Sequence, residues 1–223
     1  MDWRQAARDA ALDAWAVLAP VECSGCGGGD RALCPDCRLA LAPDLRQTER
    51  HGVPIWAALD YAGVPRRVLA AFKDAGRTDA ARALSKPLAA AVTAALAHVP
   101  EARGPVQLVT IPSSPRAWRT RGYHPVDLLL ARAGLRPTVR LRQVRDVADQ
   151  VGLGLVERSR NKEASLRAPG PLDGRSFLIV DDIVTTGATL LEARRAVLEA
   201  GGAVPALAAL AETRRRFPAT SAG

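Results

Sequence analysis

Apolar residues fall along the chain in two rhythms. Short continuous runs, "VQLVTIP" at 106–112, "SFLIV" at 176–180 and "AVPALAALAE" at 203–212, lack a polar face, as strands covered on both sides do. Elsewhere apolar positions recur every three or four residues, which predicts helices over "RRVLAAFKDAG" (66–76), an alanine-rich segment from Thr78 to Val99, and "VDLLLARAG" (126–134). Pro87 is expected to kink or split the long helix, and Gly134 to stop the third. After "SFLIV", Thr185 or Thr186 should cap a helix that runs to Glu199 or Ala200 and ends at Gly201. On it Leu190, Ala193, Val197 and Ala200 share one face, and Glu192, Arg195 and Glu199 another. "AALDYAGVP" reads as a strand ending near Gly63, and "PTVRL" as a further short strand. From Gln143 to Gly174 the chain is polar and broken by Gly152, Gly154, Pro169, Gly170 and Pro171, which reads as a lid or a disordered connection. The alternation of strand, helix and strand predicts an α/β fold, an open and mainly parallel sheet flanked by helices.

Length adds little to this picture beyond a bound: 223 residues suffice for one main domain and a small appendage. No apolar run approaches the ~20 residues of a membrane span, and Asp9 and Asp13 interrupt what would be the centre of a signal peptide. A cytoplasmic protein is the expectation. The formal charge of +8 comes almost wholly from arginine, since only Lys73, Lys86 and Lys162 are lysines. Arginine forks suit phosphate, but a compositional bias accounts equally well for the bulk of the excess, so only local clusters carry weight.

All four cysteines lie close together, as Cys23-Ser-Gly-Cys26 and Cys34-Pro-Asp-Cys37. Two pairs at this spacing supply the tetrahedral thiolate set that zinc prefers, and four protein ligands leave no open position for catalysis. A structural zinc module is therefore expected; two disulfides or four free thiols are the alternatives, which a cytoplasmic setting disfavours. The chain divides accordingly into an N-terminal helix and zinc-binding module at 1–50 and a main domain at 51–223.

The chemistry of the main domain is concentrated where "SFLIV" ends. Asp181 and Asp182 follow it directly, although two carboxylates ~5 Å apart repel by roughly 3 kcal/mol at an effective dielectric near 20. Thr185, Thr186, Gly187, Ala188 and Thr189 then lead into a helix, whose free N–H groups attract an anion. Carboxylates followed by a phosphate cradle describe a site for a ligand with vicinal hydroxyls and a phosphate, a ribose 5-phosphate.

"LIVDDIVTTGAT" resembles the signature of the type I phosphoribosyltransferases. That resemblance implies the fold of those enzymes, ribose hydroxyls of phosphoribosyl pyrophosphate on Asp181 and Asp182, its 5-phosphate on Thr185 through Thr189, and Mg²⁺ bridging hydroxyls and pyrophosphate. Over nearly the whole chain, the cysteine pairs, "AFKDAGR", "IPSSPRAWRTRGYHPVDLLLARA" and "QVGLGLVERSRNKEASL" are similar to the ComF or late-competence subgroup. His124 and Pro125 depart from it where an Asn-Gln pair commonly stands, and Thr185 stands where purine-salvage members carry an acid. By position, "SSPRAWRTRGY" resembles the pyrophosphate loop, with Arg116, Arg119, Arg121 and a flexible Gly122. Arg158, Arg160, Asn161 and Lys162 correspond to the mobile lid, and Lys73 is a candidate phosphate contact.

Two functions are open at this stage, and no catalytic residue is assigned. The ComF resemblance implies a role in DNA uptake, with single-stranded DNA and a helicase-like partner; Trp118 and Tyr123 among the arginines suit base stacking. An active transferase, moving phosphoribose to an amine or nucleobase, is the alternative. His51, His98 and His124 are expected at the surface, and "RRRF" at 214–217 at a solvated end.

Overall fold

The computed structural model describes residues 22–29, 31–50, 52–99, 104–144 and 165–213. Six strands form one sheet: β1 (Arg46–Arg50), β2 (Val53–Asp60), β3 (Val106–Thr110), β4 (Val139–Arg140), β7 (Ser176–Val184) and β8 (Ala203–Glu212), in the order β1-β2-β8-β7-β3-β4. Every neighbouring pair is parallel except β1 and β2, which form an antiparallel hairpin. The expected open, mainly parallel sheet is thus present. A separate pair, β5 (Arg142–Gln143) and β6 (Leu166–Arg167), is antiparallel.

The apolar runs fall at the centre of the sheet because both of its faces are covered. Along β7, Leu178 and Val180 belong to one buried cluster while Phe177 and Ile179 belong to the other, as the two-residue pleat requires. The first cluster lies under α2 (Gly63–Asp74), α3 (Ala81–Ala97) and α5 (Pro125–Arg132). Beneath α6 (Ala188–Glu199), with Leu166 and Leu172, lies the second. On β8, Ser176 faces Ala203 but Leu178 faces Ala206, so the stretch containing Pro205 bulges by one residue. A bulge is where a strand tolerates a residue without an N–H.

Several expectations are adjusted. The alanine-rich helix is not split at Pro87: α3 runs through it, after a 3₁₀ turn at Thr78–Ala80. Pro87, Leu84, Leu88 and Ala91 are all buried on this helix, and that burial offsets the lost hydrogen bond. Glu192, Arg195 and Glu199 share a face as expected, Arg195 pairing with both glutamates, but Glu192 is buried and also accepts the Leu166 N–H at 3.0 Å. Residues 46–50 form a strand that period-2 patterning could not reveal, since "RQTER" carries no apolar residue.

The cysteine segment joins the first core rather than standing apart from it. Cys23, Leu33, Cys37 and Leu41 are buried in the same cluster as Val68, Leu69 and Phe72. The Arg67 guanidinium donates to the Gly25 carbonyl, and Arg77 donates to the Glu22 carbonyl at 2.9 Å. A short helix, α1 (Pro35–Leu39), carries Cys37.

Candidate phosphoribosyl site and metal centre

The strand that carries Asp181 and Asp182 continues past them to Val184, so both carboxylates lie in its last turn of pleat. They are half-buried, and the Asp182 N–H donates to Asp181 Oδ1 at 2.8 Å. Their mutual repulsion is met from α2: Lys73 Nζ sits 2.7 Å from Asp182 Oδ2, with both side chains mostly covered. Burial works against the Lys73 charge, yet Asp182, aided by Asp181, outweighs it and holds the ammonium above its usual range.

Beyond the carboxylates the chain turns sharply. Gly187, with φ +85°, occupies the N-cap of α6, in place of the threonine expected there. The Thr186 hydroxyl instead accepts the Ala188 N–H at 3.3 Å within the turn. Only glycine fits this point, because the backbone is left-handed and a Cβ would lie 2.8 Å from Arg50 Cβ.

"SSPRAWRTRGY" is not a loop but holds a helix, α4 (Pro115–Arg121). The Ser114 hydroxyl caps it by accepting the Ala117 N–H at 3.2 Å, Pro115 opens it, and Gly122 closes it at φ +73°. These are standard start and stop signals, and they were present in the sequence. The helix separates the three arginines. Arg121 turns inward and pairs with Asp74 at 3.0 Å, whereas Arg116 and Arg119 face solvent. Trp118 is 44% exposed and stacks on His124, with ring centroids 4.6 Å apart and planes at 18°.

His124 is half-buried rather than a surface residue; its Nδ1 accepts the Ser113 N–H at 3.4 Å. Burial, reinforced by Arg140, pushes its pKa below the usual histidine value. Tyr123 donates its hydroxyl to the Phe72 carbonyl, and burial raises its pKa. His98 is exposed against Trp56; His51, the "RRRF" segment and the lid residues Arg158, Arg160, Asn161 and Lys162 lie outside the described residues.

One cavity of about 390 Å³ collects these groups at the carboxyl ends of β3 and β7. Asp181, Asp182, Thr185 and Thr189 line it together with Lys73, which is paired to Asp182, and with Arg121 and His124. Arg116 and Arg119 are not among its walls. His124 stood out in the sequence only as a departure from the subgroup pattern; its place in the cavity wall depends on a fold that brings the start of α5 beside β3.

Residues 119–219 match the phosphoribosyl transferase domain family. The DNA utilization protein YhgH of Escherichia coli O6:H1 is 30% identical over 207 residues, spanning 86% of this chain and 88% of that protein. Its namesake in Salmonella typhimurium is 31% identical over 210 residues, with the same coverage. The chain belongs to the ComF family of type I phosphoribosyltransferase-like proteins. Among solved structures, an adenine phosphoribosyltransferase from Thermoanaerobacter pseudethanolicus is similar at 17% identity, over 75% of this chain and 83% of that one, with a TM-score of 0.33.

The second centre of this ComF-family chain is the cysteine cluster. Its four sulfurs lie within 4.8 Å of one another, and Cys26 Sγ is 3.8 Å from Cys34 Sγ. A tetrahedron with Zn–S bonds of ~2.3 Å has edges of about 3.8 Å, so the cysteines fit a zinc ion. Backbone amides already point at the sulfurs: the Cys34 N–H donates to Cys23 Sγ at 3.3 Å and the Cys37 N–H to Cys34 Sγ at 3.4 Å. Burial alone would raise Cys23, but the amides of Cys34, Cys26 and Gly25 outweigh it and hold the thiol at about 6. Cys37, buried beside the other sulfurs, is pushed well up. Among the described residues no helix is long and apolar enough to cross a membrane.

Proposed function

We propose that the cavity binds phosphoribosyl pyrophosphate with Mg²⁺, and that the protein serves DNA utilisation through that fold. The observation that carries this reading is the convergence of a carboxylate pair, Thr185 and Thr189 of the following turn, and two cations on one cavity. Asp181 and Asp182 would accept the ribose hydroxyls. Thr185, Thr186 and Thr189, at the turn into α6, would take the 5-phosphate. Lys73 and Arg121 are placed for the diphosphate, and hard carboxylate oxygens suit Mg²⁺, which keeps waters and binds phosphate oxygens at the same time. Zinc on Cys23, Cys26, Cys34 and Cys37 would be structural, fixing the cysteine segment against the core that it shares with Val68, Leu69 and Phe72.

The DNA role rests on the relatives, which are DNA utilization proteins, and on the outer surface of α4. Arg116 and Arg119 there flank an indole with one face on His124, an arrangement suited to a single strand that stacks a base on Trp118. A helicase-like partner belongs to the same reading.

An active transferase is the second reading, favoured by Lys73 and Arg121 lying inside the cavity. An amine or base nitrogen would bond to the anomeric carbon while its bond to the pyrophosphate oxygen breaks, the electron pair leaving on pyrophosphate between those cations.

The Asp181→Asn, Asp182→Asn variant tests the shared core of both readings. Calorimetric affinity for phosphoribosyl pyrophosphate with Mg²⁺ should fall about tenfold or more, or ~1.4 kcal/mol. Unchanged affinity would sink the assignment. Pyrophosphate release over a panel of amines and bases then separates binder from enzyme.

A further inference from the structure

Arg50 ends the edge strand β1, yet it is only 4% exposed. A buried guanidinium is tolerated when its donors are spent, and these are. Nε donates to the Thr185 carbonyl at 3.2 Å. One terminal nitrogen donates to the Thr48 hydroxyl at 2.5 Å and the Glu49 carbonyl at 2.9 Å. The other donates to the Thr213 carbonyl at 3.3 Å and to Glu212 Oε2 at 3.4 Å, a carboxylate that is itself buried. Thr213 in turn donates its N–H to the Val184 carbonyl at 2.8 Å. One side chain thus ties the edge strand, the end of β8 and both approaches to the turn at Thr185–Thr189.

The stem of Arg50 touches the same turn a second time. Its Cβ and Cγ lie 2.8 and 2.9 Å from where a Cβ on Gly187 would stand, so stem and backbone are in close contact. The two contacts have a directional consequence. In a trans peptide the C=O and the following N–H point opposite ways, so drawing the Thr185 carbonyl onto Arg50 turns the Thr186 N–H away from it. Because Glu212 neutralises the guanidinium, Arg50 contributes geometry here and not charge.

We infer that Arg50 is the positioning residue of the phosphate turn, fixing the aim of the amides and hydroxyls of Thr185–Thr189 toward a phosphate monoester without touching it. This rests on reading that turn as the 5-phosphate site. Two variants test it: Arg50→Lys, which cannot reproduce the fork, and Arg50→Met with Glu212→Met, which removes both buried charges and so leaves neither unpaired.

Calorimetry on the full chain would use three probes: ribose 5-phosphate, phosphoribosyl pyrophosphate with Mg²⁺, and inorganic pyrophosphate with Mg²⁺. Thermal melts check that each variant is folded. In folded variants, affinity for the first two should fall about tenfold or more, while that for pyrophosphate, assigned to Lys73 and Arg121, stays within about twofold. A role in stability alone would weaken all three together, and that outcome overturns the inference. So does unchanged affinity for ribose 5-phosphate in either folded variant. Should the wild type bind neither ribose 5-phosphate nor phosphoribosyl pyrophosphate, the reading of the turn falls first and the inference with it.

Discussion

Lys73 and Asp182 show how a site can be legible in one partner and obscure in the other. The acidic pair could be read from its position after an apolar run, because uncompensated neighbouring carboxylates have to serve something. Lys73 could be placed only near a helix end, since nothing in "FKDAG" indicates that α2 delivers it to β7. Its raised pKa has a testable sign. A lysine raised on folding contributes stability that is complete below its unfolded value of 10.5 and fades as pH climbs through the folded one. The melting-temperature gap between wild type and Lys73→Met should therefore shrink as pH rises from about 9 to about 12. A gap that stays flat across that range contradicts the pairing. His124 was misplaced for a related reason: a lone histidine between an aromatic residue and a proline gives no hint that Trp118 and Ser113 close around it.

Elements with strong periodicity were read well from sequence, and those made by capping or pairing were not. β3, β7, α2 and α6 follow from apolar spacing because burial on both sheet faces dictates it. α4 is amphipathic in no obvious way and none of its residues is buried, so only Ser114, Pro115 and Gly122 announced it. β1 is polar throughout and exists because β2 offers it an edge. The cysteine knuckle was the most legible element, since its spacing is itself the chemistry. We expect about one zinc per chain by elemental analysis of reduced protein, and chelation should raise hydrogen exchange first in residues 22–42. Gly25 gives a sharper test. A Cβ there would lie 2.6 Å from Cys37 Sγ and 3.1 Å from Val64, so Gly25→Ala should release zinc to a chromogenic chelator faster than wild type. Equal release rates would mean that the cysteines do not close on a common ion.

At the scale of the molecule, α4 carries arginines on two faces, and the proposed function gives each face a different phosphate. Arg121 looks into the cavity, and Arg116 and Arg119 look out with Trp118, so a bound phosphorylated sugar and a bound strand need not compete. Each phosphate neutralised on a single strand contributes about −0.7 to the slope of log K against log salt. Arg116→Ala with Arg119→Ala should thus flatten the slope for single-stranded DNA by roughly 1.4, while Arg121→Ala leaves it nearly unchanged. Trp118→Ala should weaken binding by ~1 to 3 kcal/mol at constant slope, because stacking releases no counterions. Equal slopes for wild type and the double variant would assign the outer arginines to composition.

The central claim is that one ligand spans the whole cavity, from the turn at Thr185–Thr189 past the carboxylates to Lys73 and Arg121. A competition titration of the wild type measures this most directly: phosphoribosyl pyrophosphate with Mg²⁺ bound to saturation, then displaced separately by ribose 5-phosphate and by pyrophosphate. The account predicts one ligand per chain, displacement by each fragment, and tighter binding of the whole than of either part. Absence of saturable binding, or displacement by neither fragment, would contradict it.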